Sequence, residues 1–278
     1  MKICELSVAQ KYIDPQFIDL FDDKNLFEQI EQFDGVVFRS LENRRTTRIE
    51  KADQRFFVKC HLGVGWREIF KNLCQLRWPV VGAENEFKAL TELNRLGVNS
   101  LTPVVYVSEG LNPAYKRSCI ITKALEGTKS LEELFEERQV TFPLKRTLAG
   151  KLGQIARKLH VNGINHRDFY LCHFLYEVDS LDPSLYLIDL HRAQLRNRTP
   201  LRWRVKDIGA LFFSSFNYNI NSRDVFRFMV FYSGKSLRRT LVEDAEFWRQ
   251  VYKRASRFYL QDYEYLPDWV IKMDSRGK

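Results

Sequence analysis

His166, Arg167 and Asp168 stand side by side in the stretch GINHRDFYLCHFLYEV, which is otherwise largely apolar and aromatic. A lone aspartate there would suit a turn or a cap. A second acid, Asp189, closes the strand-like segment LYLIDL a short way downstream. Two carboxylates at the ends of adjacent short strands converge on one mouth, where one can take a proton and the other can hold a cation. Upstream, Lys59 sits inside the apolar run FFVKC. A lysine in such a run is costly unless it is paired. Glu86 is the first candidate partner and Glu84 its competitor. Together these groups could move a proton, hold a metal ion and neutralise an anion.

The elements that must position them follow from periodicity. GVVFRSL reads as a strand, and TTRIE and RFFVKC as a hairpin turning at Ala52-Asp53-Gln54. Trp66, Ile69, Phe70, Leu73 and Leu76 fall at helical spacing and predict a helix over residues 66–77, ended by Pro79. A second helix carries Phe87, Leu90 and Leu93 on one side and stops at Gly97. PVVYVSEG and SCIITKAL read as two further strands. SLEELFEE is a short helix with Ser130 as N-cap and Glu133 at capping-box spacing. A long amphipathic helix follows, with Leu148, Leu152, Ile155 and Leu159 in phase, then the strand pair HFLYEV and LYLIDL. From about residue 203 the chain reads as helices. The change from strand-rich to helix-rich at residues 123–128 marks a candidate hinge.

A strand lysine, a helix glutamate, a loop aspartate and a strand-end aspartate, in this order, resemble the parts of a protein-kinase-type phosphotransferase. NHRDFYLCHF resembles the kinase catalytic loop, and IDLHR stands where kinases carry the aspartate of DFG. HRDFYLCHFL, DLHRAQ, RWRVKDIGALFFSS and FVKCHLGVGWREIFKNL together resemble the lipopolysaccharide core heptose kinases of Gram-negative bacteria, over roughly residues 35–235. The resemblance implies an α+β, two-lobed kinase-like fold. Residues 1–125 would form a strand-rich, nucleotide-binding lobe, and residues 126–278 a helical lobe for catalysis and the acceptor. It also implies ATP-dependent phosphorylation of the first heptose of the inner core, with Mg²⁺. By position, Asp168 becomes the catalytic base, with Arg167 and His166 beside it. Asp189 becomes the metal ligand, Lys59 the phosphate-binding lysine and Glu86 its partner. Asp207 resembles the helix aspartate that braces the catalytic loop.

The chain departs from the kinase pattern twice. His173 stands where the catalytic loop has asparagine. Imidazole is a poor ligand for Mg²⁺, so His173 is expected beside the metal site, aimed at the Asp168 carboxylate or a metal-bound water. The segment RSLENRRTTR has no glycine, whereas the kinase loop over the phosphates is glycine-rich. Arg39, Arg44, Arg45 and Arg48 are candidates to hold phosphate instead, Arg45 foremost, or HLGVGW supplies the close backbone approach. The same arginines would also suit a solvated face. His160, His191 and Cys172 read as structural.

Lys and Arg number 44 against 35 Asp and Glu, a net charge of +9 over 278 residues. Such charge fits a polyanionic partner. No nucleic-acid motif is visible, and an anionic, membrane-anchored glycolipid accounts for the charge. Five widely spaced cysteines without CxxC argue against a disulfide framework and a zinc site, and suit a reducing cytosol. No secretory leader and no membrane span are read, so a cytoplasmic protein is expected, peripheral at the inner membrane if it meets one. Trp66, Phe70 and Leu73 read first as core, although Arg67, Lys71 and Arg77 keep a membrane-surface helix open. The rival readings are a kinase for a protein or soluble small molecule, and a pseudokinase binding module.

Overall fold

Alternating apolar and polar residues give the first half of the chain its sheet. The structure, a computed structural model, describes residues 10–21, 26–41, 43–74, 81–137, 140–178, 180, 182–218 and 220–274. The chain divides into two compact units, Met1–Asn94 with Leu101–Glu126, and Arg95–Ser100 with Gly127–Lys278.

The first unit contains β1 (Gln10–Ile13), α1 (Leu26–Glu31), β2 (Val36–Leu41), β3 (Arg44–Lys51), β4 (Gln54–His61), α2 (Gly65–Cys74), α3 (Glu84–Arg95), β5 (Pro103–Glu109) and β6 (Arg117–Lys123). The strands form one antiparallel sheet in the order β1-β5-β6-β4-β3-β2. The five expected strands appear as β2 to β6; β1 and α1 were not expected. Ala52 and Asp53 turn the β3–β4 hairpin with φ of 50° and 56°, the positive values a tight hairpin requires. Ile49, Phe56 and Val58 on one sheet face pack with Phe17, Phe21 and Phe27.

Two expectations change here. Cys60 and Cys119 are joined by a disulfide. Their wide separation in sequence argued against one, but register sets them directly opposite each other in β4 and β6. On α2, Ile69 is buried, yet Trp66, Phe70 and Leu73 are exposed rather than in the core. The helix therefore shows an apolar face to solvent, with Arg67 and Lys71 also exposed. Its expected end at Arg77 and Pro79 lies outside the described residues. Among the described residues no helix is long and apolar enough to cross a membrane.

The second unit begins with β7 (Thr128–Ser130) and α4 (Leu131–Glu137). The Ser130 N–H donates to Glu133 Oε2 at 2.7 Å and the Glu133 N–H to Ser130 Oγ at 3.1 Å, which completes the expected capping box. Next come α5 (Phe142–Val161), β8 (Ile164–Asn165), β9 (Phe174–Glu177), β10 (Leu185–Leu187) and β11 (Gln194–Leu195). Then follow α6 (Leu201–Ser215), α7 (Ser222–Ser233), α8 (Leu237–Glu243), α9 (Ala245–Asp262) and α10 (Asp268–Asp274). Strands β10, β9 and β7 form a small sheet and β11 pairs β8, so the loop after β8 and the end of β10 are fixed by short antiparallel ladders.

Candidate active site

In the sheet unit, Lys59 lies mid-strand on β4, opposite Thr46 and Ile120. Its Nζ donates to Glu86 Oε1 at 2.6 Å, with side-chain exposures of 14% and 1%. Glu84, the competing partner, pairs with Lys88 and Lys116 at the surface instead. Their donated hydrogen bonds hold the Glu84 carboxyl below its usual range. Among the described residues Glu86 Oε2, which is buried, has no hydrogen-bond partner. A buried pair of this kind is stable only while both charges are present.

The pleat separates the arginines of β3. Arg45 sits opposite Cys60, and successive side chains on a strand point to opposite faces. Arg45 is therefore not brought to Lys59. It lines a cavity of about 260 Å³ together with Thr47, Val58 and Cys60. Arg44 and Arg48 share the face of Lys59 and Thr46, and Arg48 rests over the Phe38 ring. In HLGVGW, Gly63 and Gly65 take φ of 92° and 71°, and the Gly65 N–H donates to Ala114 O at 2.9 Å.

In the helical unit, the end of β8 leads straight into the loop that holds His166, Arg167 and Asp168. His166 is fully buried, and its Nε2–H donates to Ile188 O at 2.9 Å. Burial pushes its pKa below the ordinary 6.5, which keeps the ring neutral. Arg167 has φ of 77°, a strained value for a residue with a side chain. Asp207, fully buried on α6, holds this backbone in place. Its carboxylate accepts the His166 N–H at 2.7 Å and the Arg167 N–H at 2.9 Å. His160 lies 3.3 Å from the same carboxylate, and its other nitrogen lies 2.9 Å from Tyr232 Oη.

Asp168 Oδ1 accepts from Arg192 Nη1 at 2.7 Å, with exposures of 16% and 40%. Asp189 follows β10 with φ of 62°. Its Oδ1 accepts from His191 Nδ1 at 2.6 Å. His173 donates from Nδ1 to the main-chain carbonyl of Asp168 at 2.6 Å, and its Nε2 lies 3.6 Å from Asp189 Oδ2. Of the two expected targets, the Asp168 carboxylate and a metal-bound water, the first is not met: His173 touches Asp168 through the backbone carbonyl. His173 therefore stands between the two aspartates, bonded to the backbone of Asp168 and next to the carboxylate of Asp189.

Sequence reasoning missed two of these contacts. Arg192 stands in DLHRAQ, but nothing in its spacing marks it as the partner of Asp168. His191 had been read as structural, and it grips Asp189. Cys172 is half-buried, and burial raises its thiol to about 11, so it is no nucleophile at neutral pH. As a donor set for a hard cation, the loop offers the partly exposed Asp189 carboxylate, and phosphate and water oxygens would complete such a shell.

Residues 28–232 match the family described as Lipopolysaccharide kinase (Kdo/WaaP) family. A protein of Escherichia coli K12 named lipopolysaccharide core heptose(I) kinase WaaP is 42% identical over 80% of this chain and 86% of its own length. The protein of the same name from Pseudomonas aeruginosa is 38% identical over 91% and 97%. A solved structure titled WaaP in complex with acyl carrier protein superposes with a TM-score of 0.77 and 35% identity, over 90% of this chain and 99% of that one.

Proposed function

Because the chain belongs to the lipopolysaccharide kinase (Kdo/WaaP) family, we propose that it transfers the γ-phosphoryl group of ATP to a heptose of the lipopolysaccharide inner core. What carries the reading is its match to named heptose(I) kinases along most of both chains. The chemistry of the site agrees with it. Phosphoryl transfer asks the protein for alignment and charge compensation rather than covalent help.

In this reading, residues 1–125 carry the nucleotide site. Lys59 presents its ammonium to the phosphates, and Glu86 holds it in place. Arg44 and Arg48, on the same sheet face, replace Arg45 as candidates for phosphate contact. Residues 126–278 carry the reaction and the acceptor. Mg²⁺, held by Asp189, would offset phosphate charge. Arg192 engages Asp168 through Oδ1, and Oδ2 receives the proton of the sugar hydroxyl. The sugar oxygen forms the new P–O bond while the bond to ADP breaks. His166 keeps the loop shaped through Ile188, and Arg167 follows in register. His173 and His191 orient Asp189.

The exposed Trp66, Phe70 and Leu73 of α2, with Arg67 and Lys71, suit peripheral contact with the inner membrane from its cytoplasmic face. By the same kinship the chain is proposed to dock acyl carrier protein. The test is incubation of purified protein with labelled ATP and lipopolysaccharide that lacks phosphate on its core heptoses. Label on heptose supports the proposal. Turnover of ATP with no label on the glycolipid overturns it.

A further inference from the structure

The phosphate chemistry above makes no use of a basic cluster built around Trp203 in the first turn of α6. The Arg167, Arg196 and Arg202 guanidinium carbons lie 5.6, 5.5 and 5.4 Å from the centre of its indole, and Lys206 Nζ lies 4.3 Å away. Three segments meet here: the loop after β8, the end of β11 and the start of α6. Each cation is attracted by the negative face of the indole. Four cations around one ring also repel one another. Burial and the neighbouring Arg202 both push the Arg196 guanidinium below its ordinary pKa.

For Arg196 and Arg202 internal compensation is thin. Arg196 donates to the neutral amide oxygens of Asn165 and Gln194. Asp207 is the acid that faces Arg196, and both its oxygens already accept backbone N–H groups. Among the described residues Arg202 makes no ion pair. Pro200 caps α6 without a side-chain acceptor, so the helix N-terminus adds partial positive charge at the same end.

We infer that this cluster is a subsite for an anionic group, a carboxylate or a phosphate, on the glycolipid acceptor. The inference rests on the kinase reading above. Arg167 is the chain neighbour of Asp168, so the bound anion sits beside the sugar that receives phosphate. All four cations lie within 6 Å of the centre of a single ring, a compact source of positive field suited to one small group. A protein docking face would spread its charges over a wider area.

The experiment compares wild type with Arg202→Gln/Lys206→Gln, two exposed positions, and with the charge-keeping Arg202→Lys/Lys206→Arg. The expected result is a KM for acceptor raised roughly tenfold in the Gln pair, with kcat and the KM for Mg·ATP within about twofold, since removing charged contacts weakens binding of the anion alone. The charge-keeping pair returns to wild type, which a packing defect would not do. Acceptor stripped of phosphate by aqueous hydrogen fluoride, and acceptor with its carboxylates reduced, separate the two sources. The form that raises the wild-type KM and removes the variant's defect identifies the anion. An unchanged acceptor KM in the Gln pair overturns the subsite and leaves the kinase reading standing. Loss of acyl carrier protein retention with an unchanged acceptor KM also overturns it, in favour of a protein dock. A wild type that labels no heptose overturns the kinase reading and the subsite with it.

Discussion

Lys59–Glu86 and Asp168–Arg192 are ion pairs of nearly equal length, 2.6 and 2.7 Å, in very different surroundings. The first is closed: Glu86 is 1% exposed and Lys59 is 14% exposed. The second is open on one side, because Arg192 is 40% exposed. A buried pair cannot lose a member without stranding a charge, whereas an exposed guanidinium can leave its partner to water at little cost. The difference separates a contact that builds the scaffold from one that can exchange during a reaction. Distance alone does not make that separation; burial does.

The strongest attack on the comparison is Asp168→Asn. The open pair should matter for activity and little for folding. We expect kcat to drop by about 10² to 10⁴-fold, the range of a general base, with the melting temperature and Mg·ATP binding near wild type. Activity within a factor of two of wild type would remove Asp168 from the reaction.

The closed pair should behave the other way. Lys59→Met leaves Glu86 buried and unpaired, which costs about 3–5 kcal/mol, read as a fall in stability by urea unfolding without nucleotide. Adding Glu86→Leu should restore most of that stability while activity stays low. A Lys59→Met protein as stable as wild type would show that the pair is not closed.

Periodicity made the scaffold legible and the exchange invisible. Strands β2 to β6 follow from alternation, the α4 cap from Ser130 and Glu133, and Lys59 from the cost of an ammonium in an apolar run. Alternation could also have placed Arg45 on the wrong face, because Lys59 and Cys60 point oppositely. The strand β1 pairs with β5 across most of the first unit, and no local signal carries such a separation. Arg192 reaches Asp168 only through the closure of loops between short strands, whereas His191 turns back on Asp189 two residues away. The Trp203 cluster was readable as helical spacing for Trp203 and Lys206, but Arg167 and Arg196 join it from other segments.

Asp207 joins the two classes, since it is buried like Glu86 but holds backbone instead of a cation. Asp207→Asn keeps one acceptor oxygen and turns an amide donor toward an N–H. A loss of about 1–3 kcal/mol is expected, the cost of leaving a buried donor unsatisfied. Because those N–H groups hold Arg167 at its φ of 77°, kcat should fall along with stability. Unfolding in urea beside turnover measures both. Stability lost with kcat intact would separate the brace from the loop's catalytic shape.

The smallest effect, and the finest cut between scaffold and exchange, belongs to His173. Its Nδ1–H bonds the Asp168 carbonyl at 2.6 Å while Nε2 stands 3.6 Å from Asp189. The ring spans two chain segments that a shorter side chain cannot span at once. In His173→Asn the amide can donate to the Asp168 carbonyl or turn toward Asp189, and it loses the other contact. Substitution by the residue that kinases carry here should therefore lower kcat, by roughly the tenfold that one misplaced orienting contact costs. Folding should be spared, since the bond lost is partly exposed. The dependence of rate on Mg²⁺ concentration gives the mechanism: an asparagine that reaches Asp189 as an oxygen ligand would shift the half-saturating Mg²⁺ downward, whereas one that only keeps the carbonyl bond leaves it unchanged. A variant with kcat equal to wild type would mean that the imidazole bridge between the two aspartates has no part in aligning them.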